Sequence, residues 1–285
     1  MFASRWHTTA PREVPDRLGM QKWLQSQGES LQIGACPVGW ANLSFRITAP
    51  AERHDLAGVG WIEYGGIDII AELQPLTPSS FQNGLAALVA RDRDLAMVVD
   101  RYGPPPMWRR KPCFATLVHI ILEQQVSLAS ALAVYNRLAA IVAPFSAIRF
   151  RQIDRARIKS AGLTRQKLTY CYHLADAIAE RQLSLNRLHH LSDAETRAAL
   201  VKVKGIGPWT ADIYLLMALR RPDIWPPCDL ALKAALRTVK HLPTVPSEEA
   251  FAAIGNAWRP WRAVAARILW HFYLSTQSRN KSNTF

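Results

Sequence analysis

Two groups of residues in this chain could do chemistry. The first is the run Val203-Lys204-Gly205-Ile206-Gly207-Pro208-Trp209-Thr210-Ala211-Asp212, and the second is the carboxylate of Asp229 in Pro226-Pro227-Cys228-Asp229. Gly205 and Gly207 lack a Cβ, so both can take φ > 0 and let another backbone come very close. Pro208 suits the first position of a helix, where its missing N–H would have no partner. The free amides of such a turn, with the dipole of the helix behind it, make a site for an anion such as phosphate. The same pattern also serves as a plain tight connection between helices. Asp229 precedes LALKAALR, an amphipathic helix, and is therefore a candidate N-cap. A carboxylate there could also stabilise positive charge developing at a sugar carbon, or orient an attacking water. Capping and catalysis are compatible, because a cap holds the side chain still.

Helices on either side must position these groups. Residues 192–203 carry apolar Leu200 and Val203 among charged residues, with Ser192 or Asp193 as the N-cap. Trp209 to Leu219 reads as the second helix, and RRPDIWPP as a short return loop that brings Asp229 back beside the turn. Further helical patterns cover 85–99, Phe114 to Leu122, Ser127 (as N-cap) to Val142, 154–163, 166–181, Leu230 to Val239, Ser247 to Ala257 and Trp261 to Leu274. The first ~80 residues differ: Leu43, Phe45 and Ile47 alternate with polar residues, and Ile62, Tyr64, Ile67 and Ile69 sit among glycines. The expected organisation is a small N-terminal α+β domain with an antiparallel sheet (1–80), a mainly α domain of two helical subdomains (81–275), and a frayed polar tail (276–285).

Composition narrows the partner. The chain has 285 residues with 35 Lys+Arg against 22 Asp+Glu, a formal net charge of +13. Residues 1–100 hold 8 basic and 11 acidic side chains, and the remainder 27 and 11. The surplus thus lies with the glycine turn, which suits a polyanion, although membrane attraction or simple solubility draws on the same charge. No stretch approaches about 18 uninterrupted apolar residues and the N-terminus has no apolar signal core, so neither a membrane span nor secretion is expected. Cys36, Cys113, Cys171 and Cys228 form no Cys-x-x-Cys pair, which argues against a disulfide framework or zinc site. His119 and Glu123, i and i+4, read as a surface or cap pair, and His189-His190 lacks a partner motif.

VKGIGPWTADIYLLMAL, PPCDLALKAALR, FATLVHIILEQQVSLASA and WRPWRAVAARILW together resemble the helix-hairpin-helix (HhH-GPD) DNA glycosylase superfamily, over roughly residues 85–275, and within it the alkylbase (3-methyladenine) branch. The resemblance implies that Asp229 is the catalytic aspartate. It implies a hairpin of Gly205, Ile206 and Gly207 that binds DNA phosphate, with a monovalent cation at the backbone of Gly205 and Gly207, flanked by Lys204 and Thr210 as DNA contacts. Gln124, Gln125 and Ser127 match the loop that enters the minor groove and fills the gap left by an extruded nucleotide. Trp209 and Trp270 match aromatics of the base pocket, where a cationic alkylpurine would gain about 0.5–2 kcal/mol over an indole face. Ile213 stands in that pocket where relatives place Tyr. Trp209 also occupies the position at which strand-nicking members carry a Schiff-base lysine, so the expected enzyme is monofunctional. No iron–sulfur cluster is expected, the partner is duplex DNA, the chain is read as a monomer, and the location as cytoplasmic, beside the nucleoid in a bacterium. Two alternatives remain: a glycosylase for deaminated or oxidised bases, and a non-catalytic DNA-binding module in which Asp229 is only a cap.

Overall fold

The computed structural model describes residues 74–282, and among these every regular element is helical. The sheet expected between residues 43 and 70 lies outside the described residues. The elements are α1 (Pro78–Arg91), α2 (Arg93–Tyr102), α3 (Phe114–Glu123), α4 (Leu128–Ile141), α5 (Ala147–Gln152), α6 (Arg155–Lys159), α7 (Arg165–Ala179), a 3-10 turn (Arg187–His190), α8 (Asp193–Val201), α9 (Pro208–Met217), α10 (Leu230–Val239), α11 (Glu248–Asn256) and α12 (Arg262–Ser282).

Side-chain caps set most of these starts. Thr77, Asp92, Ser127, Ser146, Asp154, Thr164, Ser192, Asp229 and Ser247 each accept a first-turn amide of the following helix. α3 and α9 depart from this, with Cys113 and Gly207 at their N-caps and no side-chain cap bond. The expected helix over 154–163 shortens to α6, because Gly162 turns the chain at φ +98. α12 runs on to Ser282, where a frayed tail was expected from 276: Thr276 Oγ1 bonds back to the carbonyls of Phe272 and Tyr273 at 3.0 and 2.9 Å.

The helices sort into two lobes. α3 is buried on nearly every side and packs against α4, α7 and α9, while α5 and α6 close over α7 and α8 pairs with α9. In the other lobe α12 packs against α1, α2 and α10. Arg267 of α12, fully buried, donates to the carbonyls of Leu216 at the end of α9, Met107 and Ala263, each at 2.8 Å. The return loop 220–229 is bolted to the start of α12: Arg262 holds Asp223 at 2.8 and 2.9 Å, and Ala263 donates its amide to the Pro222 carbonyl at 2.9 Å. Asp229 therefore emerges where the two lobes meet.

Candidate active site

The turn between α8 and α9 is a braced hairpin. Ser192 and Glu195 form a reciprocal capping box at the start of α8. Arg197 of α8 grips Asp212 of α9 at 2.7 and 2.6 Å, and burial pushes the Asp212 carboxyl up while the guanidinium opposes the rise. Val203 and Ile206 are buried and root the turn in the core, with the Ile206 amide donating to the Val203 carbonyl at 3.0 Å. Gly205 has φ +99, and a Cβ on it would lie 2.2 Å from the Tyr170 ring, so only glycine fits. Gly207 differs from the expectation: φ is −90 and ψ 177, open to any residue, and a Cβ there would meet nothing within 4 Å. Its value is the empty space it leaves at the N-terminus of α9, where no side chain caps the amides. Lys204 is exposed beside it.

The loop after α3 is tied to this hairpin. The Gln124 side-chain amide donates to the Gly205 carbonyl at 3.0 Å and to Thr210 Oγ1 at 2.9 Å. Lys167 Nζ of α7 caps the Leu122 carbonyl at 2.7 Å, and burial pushes its ammonium down. Gln124 and Thr210, both expected as DNA contacts, are thus turned on each other, and Thr210 is only 1% exposed. Gln125 is the residue that projects, with φ +57, followed by exposed Val126, Ser127 and Leu128. Ser127 accepts the Ser130 amide at 3.2 Å as the cap of α4.

Asp229 is 7% exposed and both caps and converges. Its Oδ1 accepts the Leu232 amide at 2.8 Å and Trp270 Nε1–H at 3.2 Å, while Oδ2 accepts Trp209 Nε1–H at 2.9 Å. The return loop has therefore brought the carboxylate back onto the hairpin helix. Lys233, one turn on, has its ammonium paired with Glu248. Ile213, expected in the base pocket, is 3% exposed and packed in the core. Trp258 is buried elsewhere, donating to Asp92 at 2.7 Å, and Trp261 packs against Gly84. Tyr170 and Lys167 were invisible as site residues in the sequence, since their partners lie 35 and 45 positions away. Leu230, 80% exposed beside the carboxylate, could have been noticed as an apolar residue at the first position of a helix.

His119 and Glu123 are not a surface pair. Glu123 is half-buried, with its side chain only 7% exposed; it stands 3.6 Å from His119 and takes two bonds from Arg110 at 3.0 and 2.6 Å. His119 stacks on Tyr135 at 4.3 Å, and burial holds its imidazole below the ordinary value. The His189 carbonyl accepts from Arg221 at 3.2 Å. Among the described residues no three His, Cys, Asp or Glu side chains gather to hold a metal, Cys113, Cys171 and Cys228 stand as free thiols, and no helix is long and apolar enough to cross a membrane.

The family pattern described as HhH-GPD superfamily base excision DNA repair protein matches residues 118–260. The DNA-3-methyladenine glycosylase 1 of Schizosaccharomyces pombe is 26% identical over 190 residues, which is 65% of this chain and 83% of that protein. A DNA-3-methyladenine glycosylase of Bacillus subtilis is 30% identical over 122 residues, 43% of this chain and 39% of its own length. Alignments with several relatives thus span less than half of those proteins. In fold, the chain is similar to a 3-methyladenine DNA glycosylase from S. pombe in complex with abasic DNA (TM-score 0.57, 24% identity, 66% of this chain and 95% of that one). It is also similar to a DNA-3-methyladenine glycosidase from Bacillus halodurans (TM-score 0.58, 24% identity, 68% and 91%). The matched stretch runs from within α3 past both the hairpin and the carboxylate, and on that ground the chain belongs to the HhH-GPD superfamily of base-excision DNA repair proteins.

Proposed function

We propose that this protein is a monofunctional DNA glycosylase that removes alkylated purines such as 3-methyladenine and 7-methylguanine from duplex DNA. The observation that carries the reading is the buried Asp229 carboxylate, capping α10 while meeting the hairpin helix through Trp209 at 2.9 Å. The amides of Gly205 and Gly207, with the α9 dipole, hold a phosphate, and Lys204 adds charge. The Gln125 loop enters the minor groove and occupies the gap as the damaged nucleotide rotates out. Trp209 and Trp270 border the base. As the bond between C1′ and the base nitrogen breaks, the electron pair leaves with the base, and a cationic alkylpurine departs neutral. Asp229 stabilises the positive sugar until water adds at C1′ and gives up a proton. Trp209 stands where a Schiff-base lysine would be needed, and the Lys233 amine is engaged by Glu248, so the product is an abasic site with an intact strand. A monovalent cation at the hairpin would use carbonyls that already accept hydrogen bonds: Gly205 from Gln124 and Gly207 from the Ala211 amide, each with one lone pair left. The reaction above is carried by the chain's own residues. The names of the relatives support alkylated bases as the substrate class.

Incubation with methylated DNA followed by mass analysis should show free 3-methyladenine and 7-methylguanine. Asp229→Asn should lower release by at least about a hundredfold while duplex binding persists. Binding with no released base from the wild-type protein would reduce it to a DNA-binding module, and release of only hypoxanthine, uracil or 8-oxoguanine would move the substrate class.

A further inference from the structure

An ionised carboxylate has room for roughly four hydrogen bonds. On Asp229 three are taken: the Leu232 amide and Trp270 Nε1–H on Oδ1, and Trp209 Nε1–H on Oδ2. An indole N–H lies in the plane of its ring and can only donate, so both tryptophans meet this carboxylate edge-on. They reach it from α9 and α12, which belong to different lobes, while the cap bond comes from α10. A tryptophan needed only as a flat wall for a base requires no such bond, and a helix cap needs only its amide.

We infer that Trp209 and Trp270 are positioning residues, acting on the reaction through their indole N–H groups by fixing the plane of the Asp229 carboxylate. This rests on the glycosylase reading above. Three donors leave one free acceptor direction, on Oδ2, for the positive sugar. A carboxylate held this way needs no reorganisation when charge appears at C1′, which is where preorganised electrostatics gains its advantage. With one indole donor removed, the side chain can turn about its last torsion, and the charge is no longer aimed. Trp209 makes the shorter bond and shares Oδ2 with the free direction, so its N–H matters more than that of Trp270.

The test separates the N–H from the ring. Trp209→Phe keeps an aromatic face without the donor, and benzothienylalanine placed at position 209 keeps the full indole shape with sulfur in place of N–H. Two duplexes serve as probes: one with a cationic pyrrolidine in place of the deoxyribose and one with neutral tetrahydrofuran. The wild-type protein should prefer the cationic duplex. Both replacements should lower that preference and the single-turnover release of 7-methylguanine by on the order of ten- to a hundredfold. Affinity for the tetrahydrofuran duplex should stay within about threefold, which also reports an intact fold. In an Asp229→Asn background the same replacements should change the cation preference less than about twofold, because the group they act through has lost its charge. An active wild type whose replacements keep both release and cation preference overturns the inference alone, as does a loss of equal size in the Asp229→Asn background. A wild type that releases no base sinks the glycosylase reading, and this inference with it.

Discussion

The two glycines of the hairpin look alike in sequence and differ in physical purpose. Gly205 sits at φ +99 with the Tyr170 ring where a Cβ would go, so Gly205→Ala meets strain and overlap together. It should destabilise the fold by about 1–3 kcal/mol, read from chemical denaturation. Gly207 has ordinary extended backbone and open space around its missing Cβ. Gly207→Ala should leave stability within about 0.5 kcal/mol of the wild type. On the proposed function it should nevertheless weaken DNA binding severalfold in a titration with abasic duplex, because the added methyl would fill the open space assigned there to a phosphate. Equal losses of stability in the two variants would contradict this division.

At the level of elements, the loop after α3 and the glycine hairpin form one mechanical piece through Gln124. Gln124→Leu would strand the buried Thr210 hydroxyl and the Gly205 carbonyl, at a cost of about 1–3 kcal/mol in urea unfolding. A second polar knot joins α2, α10 and α11: Asp92 accepts from Lys240 at 2.7 and 2.8 Å, from Trp258 at 2.7 Å and from the first amides of α2. Burial alone would raise the Asp92 carboxyl, but the donors from Lys240, Trp258 and Leu95 outweigh it and hold the group below 3.8. A folded value below the unfolded one means that this stabilisation is full above about pH 4 and is lost as pH falls through the lowered value. Lys240 is raised above 10.5 by Asp92 and Asp94 against the opposing effect of burial, so its share is full below that value and lost as pH rises through the raised one. Asp92→Asn should accordingly flatten part of the acid limb of a stability–pH curve. An unchanged acid limb would show that the knot is not linked to folding.

For the molecule as a whole, charge and the junction of the lobes matter most. On the proposed function, the net charge of +13, concentrated beyond residue 100, predicts DNA binding that weakens steeply with salt. Lys204→Ala should reduce the slope of log Kd against log salt by close to one phosphate contact, with little change in preference among sequences. Arg267, whose guanidinium burial pushes down to about 9, spends its donors on three carbonyls from both sides of the junction. That junction is what places α9, α10 and α12 around one carboxylate.

Much of this was legible from the chain alone, and for local reasons. Caps such as Ser127, Ser192 and Asp229 are short-range bonds between a side chain and amides two or three residues on, so helix starts could be read directly. The hairpin glycines, the return loop and the candidate carboxylate followed from the same local rules together with the family resemblance. Position in space was another matter. Nothing near Gln124 announces that it spans to Gly205 and Thr210, nothing near Tyr170 that it fills the place of a Cβ, and nothing in the two tryptophans that they share one acceptor. Those facts arise from packing between helices far apart in the chain, where which face of each helix turns inward is settled by the whole core at once. The residue types that could do the chemistry were therefore written in the sequence, while their aim was decided by the tertiary structure.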